Sequence, residues 1–253
     1  MKLDPNHISL DDIAKNYLPC ISVDCAIFGY GDNELKVLVR REFIPFNGEM
    51  HIEWKLPGNI LRRDEAIDAT AARILKEQTG LENIYVKQYS VFGDPNRLKK
   101  NLVDFEWLRP RNPEERVITV GFYSLLNISD VDNSKLIDDA KWENAYDVRE
   151  LMFDHNEIFD EALLKLRYDL LHEPIVFELL PEKFTLTQIQ KVYEAIFNTE
   201  YDKRNFRRKV NKMAYLMPLD EYQTGVSHKP ARMYTFNREK YEDTRVDRFD
   251  FRM

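Results

Sequence analysis

Residues 64–79 carry the period of a helix, and the chain on either side carries the period of strands. Ile67, Ala71, Leu75 and Gln78 fall about one turn apart, and Gly80 follows as a helix stop. Upstream, CISVDCAIFGY (20–30) and ELKVLVRR (34–41) are rich in strand formers. The GDN at 31–33 between them is a turn composition, which predicts a hairpin. Downstream, ENIYVKQYSVFG (82–93) and RVITVGFYSLLN (116–127) read as strands. A polar, proline-bearing loop over roughly 94–115 joins them, longer than such loops usually are. In NEIFDEALLKLRYDLLH (156–172), Ile158, Ala162, Leu166 and Leu170 share one helical face, with Asp154 as a candidate cap. Strands around helices with mixed connections predict an α/β or α+β body.

The length of 253 residues suits two domains, one of ordinary size and one small. EPIVFELLPEKFT (173–185) sets Pro174 and Pro181 on either side of an apolar run, which places a boundary near 175–182. Charge divides there too. From Pro181 onward there are 15 Lys+Arg against 11 Asp+Glu, a net of +4; the preceding 180 residues hold 22 against 33, a net of −11. An acidic body carrying a basic appendage points to an anionic partner for the appendage alone. No basic-then-apolar start and no run of 18 apolar residues occurs, so neither a secretory signal nor a membrane span is expected. Cys20 and Cys25 are the only cysteines; five residues apart on a strand, they face opposite ways. The expectation is a reduced, cytoplasmic protein. His7, His51, His155, His172 and His228 lack zinc-ligand spacing, and the glycines of GYGDNE (29–34) belong to a hairpin turn.

Positions 74, 77 and 78 are spaced so that their side chains emerge on one side of a helix. Three carboxylates there would repel one another unless a hard cation such as Mg²⁺ held them. This chain has Ile74, Glu77 and Gln78 at these positions, a single carboxylate. The wider stretch KLPGNILRRDEAIDATAARILKEQTGL (55–81) resembles the Nudix box, in which Gly, five residues, Glu and seven residues precede Arg-Glu-apolar-x-Glu-Glu-x-Gly-apolar. Glu65, Arg73, Leu75, Glu77, Gly80 and Leu81 match, while Asn59, Ile74 and Gln78 depart from it. The resemblance implies a Nudix fold with a concave pocket that holds a nucleotide or sugar in relatives, but without the metal charge for diphosphate hydrolysis. It makes Glu65, Arg73 and Glu77 the candidate ligand-binding residues, with no catalytic residue, no metal and no cofactor expected.

The C-terminal unit reads as two short helices and a hairpin. FTLTQIQKVYEAIF (184–197) opens with Thr185 and Gln188 as a capping box and Phe184 as the preceding apolar staple. After the break NTEY, Asp202 caps KRNFRRKVNKM (203–213). Within 203–212 lie Lys203, Arg204, Arg207, Arg208, Lys209 and Lys212 and no acid, while Phe206, Val210 and Met213 form an inner face. Strands at about 214–220 and 231–236 enclose a loop with Gly225, His228, Lys229 and Pro230, and Arg232 follows. A basic second helix and a basic hairpin are the parts of a winged helix-turn-helix, the helix entering a major groove and the wing touching phosphates. The blander reading, a solvated charged helix face, holds for a lone basic helix. Together with FDHNEIFDEALLKLR (153–167), PIVFELLPEKFTLTQIQKVYEAIF (174–197) and DKRNFRRKV (202–210), the chain resembles the Nudix-related transcriptional regulators.

That resemblance implies an α+β architecture: a Nudix α/β/α sandwich with a mixed sheet over 15–172, then a small winged helix over 180–240. It implies a homodimer on double-stranded operator DNA whose Nudix domain senses a sugar or nucleotide-sugar, from pentoses such as arabinose to ADP-ribose. Lys203, Arg204, Asn205, Arg207, Arg208, Lys209, Lys212, His228, Lys229 and Arg232 are the expected DNA contacts. Two competing readings stand beside it. One is an active Nudix hydrolase whose metal site is rebuilt from Glu65, Glu77 and Asp104 or Glu114. The other is an interaction module whose basic helix meets an acidic protein.

Overall fold

Asp32 and Asn33 both take positive φ, 56° and 62°, the pair of conformations that a two-residue hairpin turn matched to strand twist requires. They join β1 (Cys20–Gly31) to β2 (Glu34–Phe46) in an antiparallel pair, with Gly31 opposite Glu34. Gly31, expected in the turn, instead closes β1. The computed structural model describes residues 20–46, 49–97, 116–227 and 229–244. The expected long loop falls mostly in 98–115, and Asp104, Glu114 and His228 likewise lie outside the described residues.

Seven strands form one mixed sheet in the order β3-β2-β1-β6-β5. β3 (Glu49–Lys55), β5 (Lys87–Phe92) and β6 (Val117–Asn127) lie along this path; β4 (Gly58–Ile60) pairs with β1 and β7 (Ala140–Asn144) with β2. Among the described residues only the central β1–β6 pair of this sheet is parallel; its other pairings are antiparallel. β1 is covered on both faces, which explains its nearly unbroken apolar run. Val23, Cys25 and Ile27 pack with Leu38, Phe122 and the inner face of α1 (Ile67–Thr79), namely Ala71, Ile74 and Leu75. Ala26 and Phe28 pack the other way, with Val37, Tyr123 and Ile158, Ala162 and Leu166 of α2 (His155–His172). The result is the expected α/β/α sandwich.

Several expectations shift. Residues 82–86 precede β5 rather than belonging to it, and Asn83 there has φ 58°. β3, β4 and β7 had no sequence signal, being polar, three residues long, or alternating on one face only. Asp154 occupies the N-cap position of α2 but makes no cap bond; its carboxylate is held by Arg97 instead.

Beyond α2, a 3-10 turn over Ile175–Leu179 buries Val176 and Leu179 in the same apolar cluster as α2 and the helices that follow. α3 (Leu186–Phe197) begins with the expected capping box between Thr185 and Gln188. Asn198 ends it in the left-handed region at φ 50°. α4 (Lys203–Val210) is capped by Asp202, whose carboxylate accepts from the Asn205 amide at 2.9 Å. It stops at Val210, so Lys212 sits on the following turn rather than on the helix. β8 (Leu216–Tyr222) and β9 (Arg232–Phe236) form the wing, joined at its root by Phe184, which exchanges backbone bonds with Tyr234. A last helix, α5 (Arg238–Thr244), crosses the expected end at 240 and buries Tyr241 against Tyr215 and Phe236.

The segment Leu56-Pro57-Gly58 ties the layers together. Gln78 of α1 donates Nε2 to the Gly58 carbonyl at 2.9 Å and accepts the Gly58 amide on Oε1 at 3.0 Å. The Cys25 amide donates to the Pro57 carbonyl at 2.8 Å, and His155 of α2 accepts the Leu56 amide at 3.0 Å. A Cβ on residue 58 would stand 1.7 Å from Asp24 Oδ1, so only glycine allows this approach. A Gln78→Glu variant sets a carboxylate oxygen against the Gly58 carbonyl in a buried place. It is expected to cost about 3 kcal/mol at pH 7, and the cost should shrink toward pH 4 as the acid regains a donor proton; urea unfolding at the two pH values checks both.

Candidate functional site

Six of the nine positions aligned with the Nudix box carry the question of a metal or ligand site. Ile74 is fully buried among Val23, Cys25 and Leu38. Gln78 is occupied by Gly58. Asn59 is exposed and bonds the Ile60 amide through its own side chain. Glu65, Arg73 and Glu77 do come together, and arginine is their common partner. Arg73 donates Nε to Glu65 Oε1 at 2.7 Å and Nη2 to Glu65 Oε2 at 2.9 Å, a fork that matches the carboxylate. Its Nη1 reaches Glu77 Oε2 at 3.0 Å, and Arg62 holds the other Glu77 oxygen at 3.2 Å. The Arg73 fork, helped by the Thr70 hydroxyl, lowers the Glu65 carboxyl to about 2.

Two carboxylates and two guanidiniums balance here, so no charge is left over for a dication. A magnesium ion implied by the fold finds, of the three positions on that helix side, one in the core, one locked to backbone and one taken by arginine, with the nearby Glu65 also taken by Arg73. These residues do not fit the ion. Among the described residues no three His, Cys, Asp or Glu side chains gather as a metal site.

A cleft of about 580 Å³ opens at the start of α2, lined by Asp94, Asn96, Arg97, Glu150, Leu151, Phe153, Asp154, Asn156 and Glu157. None of Glu65, Arg73 and Glu77 lines it. Its wall is shaped by Phe153, held at φ 57°, and by Asn156, which accepts the Leu151 amide at 2.7 Å. Below it lies a polar network that sequence inspection missed. Arg97 forks onto Asp154 at 2.6 and 2.9 Å, both side chains being nearly inaccessible, and donates Nη1 to Thr119 Oγ1 at 2.7 Å. Thr119 in turn bonds Ser22 across β1 and β6 at 2.6 Å. Asp24 and His155 lie beside this network, with His155 Nε2 3.7 Å from Asp24 Oδ1. Since His155 Nδ1 accepts the Leu56 amide, the ring proton sits on Nε2, facing Asp24. Burial pushes the Asp24 carboxyl up to about 6, against the pull of Lys55 and Arg97. Burial, with Lys55 adding to it, pushes His155 down to about 3. A lone Asp inside the apolar run of β1 was the available sequence signal for this network.

On the winged helix, Lys203, Arg204, Asn205, Arg207 and Arg208 are exposed along α4, whose opposite side buries Phe206 and Val210. Lys209 is half-buried. Arg207 Nη2 lies 3.4 Å from the Thr187 hydroxyl on the first turn of α3. Lys229 is exposed near the wing tip. Arg232 turns back along the hairpin, donating Nε to the Leu219 carbonyl at 2.7 Å and pairing with Asp220 at 3.0 Å.

Two domain families match this chain in order: the NUDIX domain over residues 19–165 and the NrtR DNA-binding winged helix domain over residues 176–236. The chain belongs to the Nudix family. Its Nudix sandwich and winged helix follow one another as in Shewanella oneidensis NrtR, solved in complex with a 27mer DNA. That structure is 27% identical, superposes with a TM-score of 0.65, and matches over 90% of this chain and 97% of its own. An ADPR-responsive transcriptional repressor of Acinetobacter baylyi is 26% identical over 231 residues, covering 88% of this chain and 84% of that protein. A MutT/nudix family protein of Enterococcus faecalis, 22% identical with a TM-score of 0.61, shares the fold over 90% of this chain and 94% of its own. No helix among the described residues is long and apolar enough to cross a membrane.

The Asp24–His155 pair predicts a compensated acid response in this Nudix domain. Native Asp24 holds its proton more tightly than an unfolded carboxyl, so its contribution to stability falls as pH rises from about 4 to 6. Native His155 holds its proton more weakly than an unfolded imidazole, so its contribution falls as pH drops from 6.5 toward 3. Between pH 4 and 6 the two slopes oppose each other. An Asp24→Asn variant leaves only the histidine limb and should lose up to about 1.4 kcal/mol per pH unit more than wild type on acidification from pH 6 to 4, read from urea midpoints at stepped pH.

Proposed function

We propose that this chain is an ADP-ribose-responsive transcriptional repressor: the winged helix binds operator DNA, and the Nudix domain senses a nucleotide-sugar instead of hydrolysing one. The observation that carries this reading is the pairing of an exposed cationic face on α4 with a Nudix helix whose remaining carboxylates are neutralised by Arg73 and Arg62. The name of the Acinetobacter relative, an ADPR-responsive transcriptional repressor, supports both halves, and the Shewanella relative's complex with a 27mer DNA supports the first. The arginine forks, the buried Ile74 and the engaged Gln78 support the loss of hydrolysis.

The effector is placed across the rim of the sandwich. Its ribose hydroxyls and base fit the cleft at the start of α2, where Asp94, Asn96, Glu150 and Asn156 offer acceptors and amides and Phe153 offers a ring. The acidic cleft repels phosphate, so the diphosphate belongs outside it. Glu65, Arg73 and Glu77 lie beyond β4, with Arg73 Nη2 3.4 Å from the Ile60 carbonyl, and the exposed Arg62 beside them is the cation that turns toward phosphate. A nucleotide-sugar has both a sugar for the cleft and a diphosphate for Arg62, whereas a free pentose has only the first.

DNA recognition falls to Arg204, Arg207 and Arg208 in the groove, with Lys203, Lys209, Lys212 and Lys229 neutralising phosphates. Asn205 stands among them as a donor to base edges. Two such helices in a homodimer address half-sites about 34 Å apart or a multiple of that. An Arg204→Ala/Arg208→Ala protein should bind its duplex on the order of a hundredfold more weakly. Its log–log salt slope should be shallower by up to about 1.8, measured by fluorescence anisotropy. Calorimetry should find ADP-ribose binding to wild type and its addition should release the duplex. Absence of both, or phosphate release from ADP-ribose with Mg²⁺, overturns the proposal.

A further inference from the structure

The winged helix is seated on the sandwich through a directional polar joint as well as through apolar contact. The carbonyl of Ile196 lies in the last turn of α3, among those a helix leaves without an internal donor. The sandwich supplies two donors to it. Tyr146 gives its hydroxyl at 2.5 Å and Arg167, on α2, gives Nε at 3.0 Å. Arg167 Nη2 also lies 3.4 Å from the Tyr146 hydroxyl, and its guanidinium stands 5.8 Å from the Tyr146 ring and 5.9 Å from the Phe197 ring. Close by, the buried Tyr193 hydroxyl of α3 donates to the Leu170 carbonyl of α2 at 3.2 Å.

What orients α3 also orients α4. Gln190 of α3 donates to the Tyr201 carbonyl at 2.9 Å, and Glu194 accepts the Tyr201 amide at 3.1 Å. The connection between the two helices is therefore bound to the first of them and cannot swing independently. At its other end α2 forms the wall of the cleft through Asp154, Asn156 and Glu157. Thirteen residues separate Asp154 from Arg167, ~20 Å of helix, with neither glycine nor proline to absorb a displacement.

We propose that Arg167 and Tyr146 are positioning residues that convert occupancy of the cleft into reorientation of the DNA-reading helix. The inference rests on the function proposed above. Each apolar contact in the cluster shared by α2 and α3 is non-directional and changes gradually with a small rotation. The hydrogen bonds at Ile196 do not, since they weaken steeply as donor and acceptor misalign. A rotation of α2 at the cleft thus has two outcomes at this joint, made or broken, and each sets a different pose for α4. Neither residue touches the cleft or the exposed face of α4, so their loss changes the coupling between the two sites rather than either site's own contacts.

The test uses the full-length protein, ADP-ribose, and the duplex that wild type enriches from a random library. Duplex affinity is measured with and without saturating ADP-ribose, ADP-ribose affinity by calorimetry, and folding by thermal midpoint. For Tyr146→Phe and Arg167→Ala, the ratio of duplex affinities with and without effector should fall toward one, by roughly three- to tenfold. Their calorimetric affinity for ADP-ribose should stay within about twofold of wild type. Arg167→Lys, which keeps one donor, should recover part of the ratio. Tyr146→Phe removes a single oxygen and decides the matter if Arg167→Ala does not fold. A wild-type ratio in Tyr146→Phe and Arg167→Lys overturns the joint and leaves the sensing function standing. A wild type indifferent to ADP-ribose overturns the function and the joint with it.

Discussion

A single amide holds the two sides of the sandwich in register. Gln78 meets both backbone groups of Gly58, and an amide is the one side chain of that length that can both donate and accept there. The same three-residue segment is gripped by β1 through Pro57 and by His155 from the opposite layer. A segment with its polar groups so fully engaged, and with glycine pressed against Asp24, leaves little freedom to either flanking helix. His155, which grips this segment, directly follows Asp154, so the Arg97–Asp154 pair and the cleft beside it adjoin this arrangement.

The same amide explains how the helix of a Nudix box keeps its place with a neutral side chain at position 78. A carboxylate at position 78 needs a cation to tolerate its neighbours and has no proton for the Gly58 carbonyl. A glutamine needs no cation and gives that proton. With Ile74 joining the core and Arg73 drawing Glu65 and Glu77 to itself, each departure from the box replaces an electrostatic demand by a local bond or an apolar contact. The helix keeps its place and the site loses its charge.

Much of the architecture was legible where the signal is local. The hairpin at Asp32–Asn33, the Gly80 stop, the Thr185–Gln188 box and the four-residue face of α2 each depend on residues a few positions apart, and each formed. The misses depend on partners far apart in the chain. β4 is a strand only because β1 runs beside it. Asp154, a reasonable cap in isolation, lost that role to Arg97, 57 residues away. Arg232, expected as a wing contact for DNA, also bonds the Leu219 carbonyl and the exposed Asp220 across the hairpin, a pairing that no local pattern announces. The box residues Glu65, Arg73 and Glu77 were legible as a group, but not as one that arginine would neutralise, because spacing fixes which side chains meet and not what each prefers once they do.

The cationic face of α4 belongs to a C-terminal unit of net +4, whereas the preceding 180 residues carry a net of −11. Such a body has a permanent dipole that turns in the field of a polyanion before contact, presenting its positive end and withdrawing the rest. Approach side-on is repelled. The acidic sandwich therefore acts at a distance as a rudder, narrowing the encounters with a duplex to those in which the reading head arrives first.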